Sequence, residues 1–179
     1  MYRSEDHRTF AAPNENGMDV PGEQSASEVW ARVKRRLRAE LGEDMAELYE
    51  PACEDKEIDF SAEITKDLTI RGNREFLAQA VANLLDNAVK YTPSGGAIML
   101  RVRRRSSGEV EFSVTDTGPG VPDEDRERVI QRFVRLENSR NEPGAGLGLS
   151  LVAAVADAHQ GRLELDEGPG KVGDMGPGL

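Results

Sequence analysis

The chain has 179 residues, 31% of them charged and 37% hydrophobic, with a formal net charge of −10. That length suits one domain with flanking segments, and the acidic balance argues against a general nucleic-acid binder. Cys53 is the one cysteine, which excludes an internal disulfide and a cysteine-built zinc site and points to a reducing compartment.

Residues 1–27 are rich in Asn, Glu, Ser, Gly and Pro and show no periodicity, so a disordered tail is expected there. MYRSEDHRTF has no apolar run behind its charges and is not a secretory signal. From Glu28 a helical stripe of Trp30, Val33, Leu37 and Leu41 begins, and Met45 and Leu48 continue it. Residues 28–50 therefore read as an amphipathic helical segment that Pro51 ends, with the run RVKRRLR as its solvated face. Ile58, Phe60, Ala62 and Ile64 alternate as in a strand, and Leu68–Ile70 forms a second one. Gly72 and Asn73 open a helix, with Asn73 as N-cap and Glu75 in its first turn. That helix extends to about Tyr91, ahead of Pro93 and the Gly95-Gly96 turn.

AIMLRV and VEFSVTD predict a hairpin turning at Ser106–Gly108. Asp116–Gly120 is a glycine loop, and a helix follows Pro122 with Asp123, Glu124 and Asp125 at its positive start. Leu136–Gly146 reads as a surface loop. Leu147 to about His159 is helical, closed by Gly161, and RLELDE is a last strand. The longest apolar stretch, near LVAAVADA, is far short of the ~20 residues of a membrane span. The closing GPGKVGDMGPGL has no strand pattern, so 168–179 reads as an irregular tail. The mixture predicts an α/β (α+β) two-layer sandwich, a mixed, mostly antiparallel sheet covered on one face by helices.

Three constellations carry chemistry. In NLLDNAVKY, Asn83, Asn87 and Lys90 fall within roughly 60° of one another on the helix, beside its apolar stripe. Two amide oxygens and an ammonium there suit a hard cation and a phosphate; two exposed asparagines are the plainer reading. DTGPG places Asp116 at a strand end, where its carboxylate could accept from an exocyclic amine while glycines admit a flat base; it is also an ordinary turn. PGAGLGLSLV sets Gly144, Gly146 and Gly148 at a helix start, a phosphate-holding arrangement. Between them, FVRLENSR puts Phe133 among Arg132, Arg135 and Arg140, which alone describes a surface loop.

Taken in order, NLLDNAVKYTP, DTGPG, RFVR and GAGLGLSLV resemble the N box, first glycine box, phenylalanine box and second glycine box of sensor histidine kinases, in the GHKL ATPase superfamily. LYEPACEDKEIDF and RGNREFLAQAVANLLDNAVKYT are similar to the flanking text, so the resemblance covers about Leu48 to Glu167. It implies an ATP-binding domain over 51–167 with a mobile lid, binding ATP and Mg²⁺. By that resemblance Asn87 is the Mg²⁺ ligand and Asn83 its partner at the ion. Lys90 and Tyr91 face phosphate and nucleotide, Asp116 reads adenine, and Gly118 and Gly120 shape its pocket. Phe133 and Leu136–Pro143 match the lid. Gly144, Gly146 and Gly148, with Leu147 and Leu149, match the phosphate side. Arg132, Arg135 and Arg140 are the candidates for the γ-phosphate, Arg135 standing with Asn83 and Lys90 as catalytic.

Where the superfamily's hydrolases carry a glutamate as base, Asn83 carries an amide, which takes no proton near neutral pH. The resemblance therefore implies transfer to a protein histidine rather than hydrolysis. The acceptor motif of the family, similar to HELRTPL, is absent. Of the two histidines, His7 lacks its spacing and His159 reads as a packing or capping group. The implied partners are a dimerisation domain carrying the substrate histidine and, indirectly, a response regulator, with a cytoplasmic location that includes the cytoplasmic part of a membrane-anchored sensor. The family's closing strand, after RLELDE, is not legible. A non-catalytic nucleotide-binding or pseudokinase module is the alternative reading, and a serine kinase like the anti-sigma factors a lesser one.

Overall fold

The structure is a computed structural model that describes residues 8–12, 35–38, 40–131, 134 and 146–166. In chain order its elements are β1 (Arg8–Ala12), β2 (Arg35–Arg38), α1 (Glu40–Asp55), β3 (Asp59–Ile64), β4 (Thr69–Gly72), α2 (Arg74–Tyr91), β5 (Ala97–Arg104) and β6 (Val110–Asp116). A 3-10 turn (Asp123–Asp125), α3 (Arg126–Val129), α4 (Gly148–Ala158) and β7 (Arg162–Glu164) follow. One sheet has the order β3-β5-β6-β1-β7, and β2 and β4 pair as a separate ribbon. The β3–β5 pair is parallel and the other pairs are antiparallel.

Alternation builds the central hairpin. Ile98, Leu100 and Val102 of β5 and Val110, Phe112 and Val114 of β6 are buried, with Leu100 opposite Val114 and Val102 opposite Phe112. Against this face lie Leu77, Ala80, Val81, Leu84, Leu85 and Ala88 of α2 and Val152, Val155 and Ala156 of α4. Each fully buried leucine contributes about 1.5–3 kcal/mol through area removed from water. The opposite face is polar. Glu111 is nearly inaccessible there, and it bonds Arg103 at 2.8 Å and also Arg105.

Helix α2 starts where the sequence predicts. The Asn73 side-chain oxygen accepts from the N–H groups of Glu75 and Phe76, closing two of the donors a helix start leaves open. Its other end is held from outside: the Lys56 ammonium donates to the carbonyls of Val89, Lys90 and Thr92 at 2.6, 3.1 and 2.8 Å. A cation on the last carbonyls also opposes the helix dipole.

Three expectations about the N-terminal third change. Arg8–Ala12, placed in a patternless tail, forms β1 inside the main sheet. Leu37 and the arginines beside it stand on a strand, β2, because β4 offers an open edge whose ladder they complete. Pro51 lies within α1 and does not end it. An interior proline costs about 3 kcal/mol, which core burial of Cys53, in the following turn, helps to offset. Trp30 and Val33 lie outside the described residues.

Candidate functional site

Two walls meet on the C-terminal half of α2. The first is made of amides. Asn83 donates through Nδ2 to the Gln79 carbonyl at 2.7 Å, which orients its oxygen away from the helix. A Cβ placed on Gly148, the first residue of α4, would lie 3.2 Å from Asn83 Oδ1 and 3.5 Å from Asn87 Nδ2. Both asparagines therefore converge on a helix start, and a glycine there keeps the approach open. Leu147, the N-cap, supplies no capping side-chain bond, so the positive end of α4 is not closed by its own N-cap. Lys90 lies at the same end of α2, its ammonium 3.1 Å from the Tyr91 hydroxyl and 4.7 Å from that ring's centre.

A carboxylate makes the second wall. Asp116 ends β6, and one of its oxygens accepts from the Gly118 N–H at 2.9 Å. A Cβ on Gly118 would stand 2.7 Å from that oxygen and 3.0 Å from the Tyr91 carbonyl. The Asp116–Gly120 loop thus packs directly on the end of α2, and only glycine fits between them. Gly120 has φ +70°, a left-handed conformation that suits glycine. Asn87 and Tyr91 are one turn apart, about 6 Å along the axis, so the amide wall and the carboxylate contact lie within one turn of α2.

Of the residues singled out from the sequence, the structure brings Asn83, Asn87 and Gly148 together, and Tyr91, Asp116 and Gly118 together. Gly146, at φ +69°, leads into α4. Leu147 is exposed at the start of that helix, while Leu149 packs against the hydrophobic core. Arg132, Phe133, Arg135, Arg140 and Gly144 lie outside the described residues.

His159 is committed elsewhere. It is buried, its Nδ1 lies 2.7 Å from the Val155 carbonyl, and its Nε2 accepts from the Asn73 N–H at 3.1 Å. With both ring nitrogens engaged it joins the end of α4 to the start of α2 and presents no nucleophile. A Cβ on Gly72 would stand under 3 Å from this ring, so that glycine is required by the joint.

Two residues escaped the sequence reading. Lys56 fixes the end of α2 from a turn whose composition carries no signature. Thr92 follows Tyr91, is fully buried, and its hydroxyl finds no partner among the described residues. An orphan buried hydroxyl is a natural place for a bound water.

Residues 72–175 match the family described as histidine kinase-, DNA gyrase B-, and HSP90-like ATPase. The chain belongs to that family. It is 38% identical over 148 residues to the adaptive-response sensory kinase SasA of Synechococcus sp. (strain JA-3-3Ab), covering 82% of this chain and 39% of that kinase. SasA of Nostoc sp. (strain PCC 7120 / SAG 25.82 / UTEX 2576) is 42% identical over 108 residues, 60% of this chain and 27% of the relative. The chain thus spans well under half the length of these kinases. Among solved structures, the mycobacterial sensor histidine kinase MprB superposes with TM-score 0.61 at 32% identity, over 72% of this chain and 81% of that one. Full-length ShkA in complex with AMPPNP gives 0.63 at 32% identity, over 75% and 29%. The fold is therefore the ATPase domain these histidine kinases share.

Proposed function

We propose that this chain is the ATP-binding catalytic part of a two-component sensor histidine kinase. It passes the γ-phosphate of ATP to a histidine on a separate dimerisation domain, from which a response regulator takes it. The observation that carries this reading is the convergence of Asn83 and Asn87 on Gly148, one helical turn from the Asp116–Gly118–Tyr91 contact.

In this reading Asp116 accepts from the adenine amine. A carboxylate has about four acceptor positions, so the bond from Gly118 does not preclude one from the base. Gly118 and Gly120 let the base lie against backbone. The triphosphate runs toward the start of α4, whose N–H groups and dipole receive it, with Gly144, Gly146 and Gly148 lining that side. Lys90 supplies a point charge, and one of Arg132, Arg135 and Arg140 reaches the γ-phosphate. Phe133 and the Leu136–Pro143 loop close over it. Among the described residues no group of three His, Cys, Asp or Glu side chains could hold a metal. The donors at hand are the amide oxygens of Asn87 and Asn83, which together with phosphate oxygens fit Mg²⁺. Bound there, the ion would neutralise phosphate charge. Asn83 offers no proton acceptor, so an attacking water is not activated and the acceptor is a nucleophile that needs no base. No described helix is long and apolar enough to cross a membrane, and a cytoplasmic location agrees with the lone buried thiol of Cys53.

Calorimetric titration with AMPPNP, with and without Mg²⁺, followed by phosphorylation of added acceptor domains, tests the proposal. Mg²⁺-dependent binding and an acid-labile phosphohistidine are expected. A second reading, a module that binds nucleotide and acts by contact, is favoured by one observation: His159 is locked in the core. Tight binding with no transfer to any acceptor domain would select it. Phosphoserine on a partner would instead point to a kinase like the anti-sigma factors.

A further inference from the structure

β7 is three residues long and, among the described strands, pairs only with β1. On its other side β1 pairs with β6 along all five of its residues. An N-terminal segment therefore occupies the interior of the sheet, and β6 and β7 are neighbours only through it. The two flanking strands are also tied by a side-chain bridge. Arg105, at the end of the β5–β6 hairpin, bonds Glu111 of β6 and Glu164 of β7, the latter at 2.6 Å. That bridge spans a gap one strand wide, about 10 Å from β6 to β7.

Both sides of the gap lead to the site. β6 ends at Asp116. β7 follows α4 through Gly161, and α4 begins at Gly148 against Asn83 and Asn87. Anything that seats β6 and β7 seats both walls. The segment in the gap fits an interior strand: it is short, it carries no charge after Arg8, and Pro13 follows directly. Its central residue, Phe10, stands in register with Phe112 and Leu163.

We infer that the gap between β6 and β7 is an acceptor site for one extended strand, antiparallel to both, and that this chain's own Arg8–Ala12 is its ligand. Backbone hydrogen bonds hold the segment, so it is separable from the domain it completes. Filling the slot anchors β7 and steadies β6, and this couples the N-terminal segment to nucleotide binding. The slot stands by itself; the coupling rests on the nucleotide reading above.

Hydrogen exchange on the full chain tests it, with Phe10→Pro, which removes a ladder donor from mid-strand. Amides of β6 and β7 should exchange at least roughly tenfold faster in the variant, while those paired between β3 and β5 keep their protection. AMPPNP binding should weaken several-fold, and a synthetic peptide of residues 6–14 should restore both. Should Phe10→Pro unfold the whole chain, a chain carrying a protease site within residues 13–34 decides. Once cut, it should keep its protection and lose it when the fragment is diluted away. Unchanged exchange in Phe10→Pro, or lost protection that no peptide concentration restores, overturns the slot. Protection that appears only in a dimer assigns the strand to a second copy and overturns delivery within one chain. A change in exchange without a change in AMPPNP affinity leaves the slot and removes the coupling. Absence of AMPPNP binding in the unaltered chain refutes the nucleotide reading alone.

Discussion

The two ends of α2 use the same residue type in opposite ways. At its start, Asn73 is closed on the protein: its oxygen accepts from Glu75 and Phe76, and its N–H donates to buried His159. Ten and fourteen residues on, Asn83 and Asn87 leave the apolar stripe and turn toward the first residue of another helix, where glycine keeps the space clear. Polar groups satisfied by protein are architecture. Polar groups brought together beside a glycine are, in the proposed reading, a site. The helix that holds both is anchored at its start, and in the proposed reading its other end meets the nucleotide.

Substitutions at each end should separate affinity from stability. Asp116→Asn keeps the shape and removes the charge that, in the proposed reading, accepts from the base. AMPPNP affinity should fall about 10- to 100-fold, the worth of a hydrogen bond to a charged group, with little change in melting temperature. Calorimetry beside a thermal melt would show it, and equal affinity in the variant would break the contrast. His159→Ala should do the reverse. It leaves the Asn73 N–H buried without an acceptor, at a cost of about 2 kcal/mol, or roughly 4–8 °C in melting temperature for a chain of this size. Nucleotide affinity measured well below the melt should hold.

The juxtapositions at the candidate-site end were foreshadowed in the sequence because those residues break the local pattern. Asparagines at the edge of an apolar helical stripe, and an aspartate with two glycines after an alternating strand, are odd at their positions for chemical reasons. The start of α2 was half legible. Asn73 announces itself as a cap through local rules, yet its bond to His159 joins residues 86 apart and leaves no local trace. β1 and β2 were illegible for a related reason: strands recruited by an open edge answer to backbone donors and acceptors, which every residue has. Pro51 misled because a local breaker was outweighed by tertiary packing.

Lys56 sharpens the comparison, since it holds that end of α2 through backbone carbonyls. Lys56→Met removes three bonds to the last carbonyls of α2. The helix end that carries Lys90 and Tyr91 should loosen, raising the Kd for AMPPNP a few-fold and costing about 1 kcal/mol. If the variant lost stability alone, the site end would be less dependent on this cap than its geometry implies.

Acid provides the mildest test, because it acts on the sheet face opposite α2 and should not discriminate between the helix ends. Burial would raise the Glu111 carboxyl, but the guanidinium groups of Arg105 and Arg103 hold it below the ordinary value of 4.5. The Arg105 bond does the same, against partial burial, for Glu164. A carboxylate lowered in the folded state contributes stability that is complete above its ordinary pKa and is lost as pH falls through the lowered one. Between pH 7 and pH 4 the loss should stay below about 1 kcal/mol per group, and Glu111→Gln should flatten its share of the acid slope in urea melts. If acid instead weakened AMPPNP binding before it lowered stability, the site end would be titrating separately, and the sheet would not be the common support of both ends of α2.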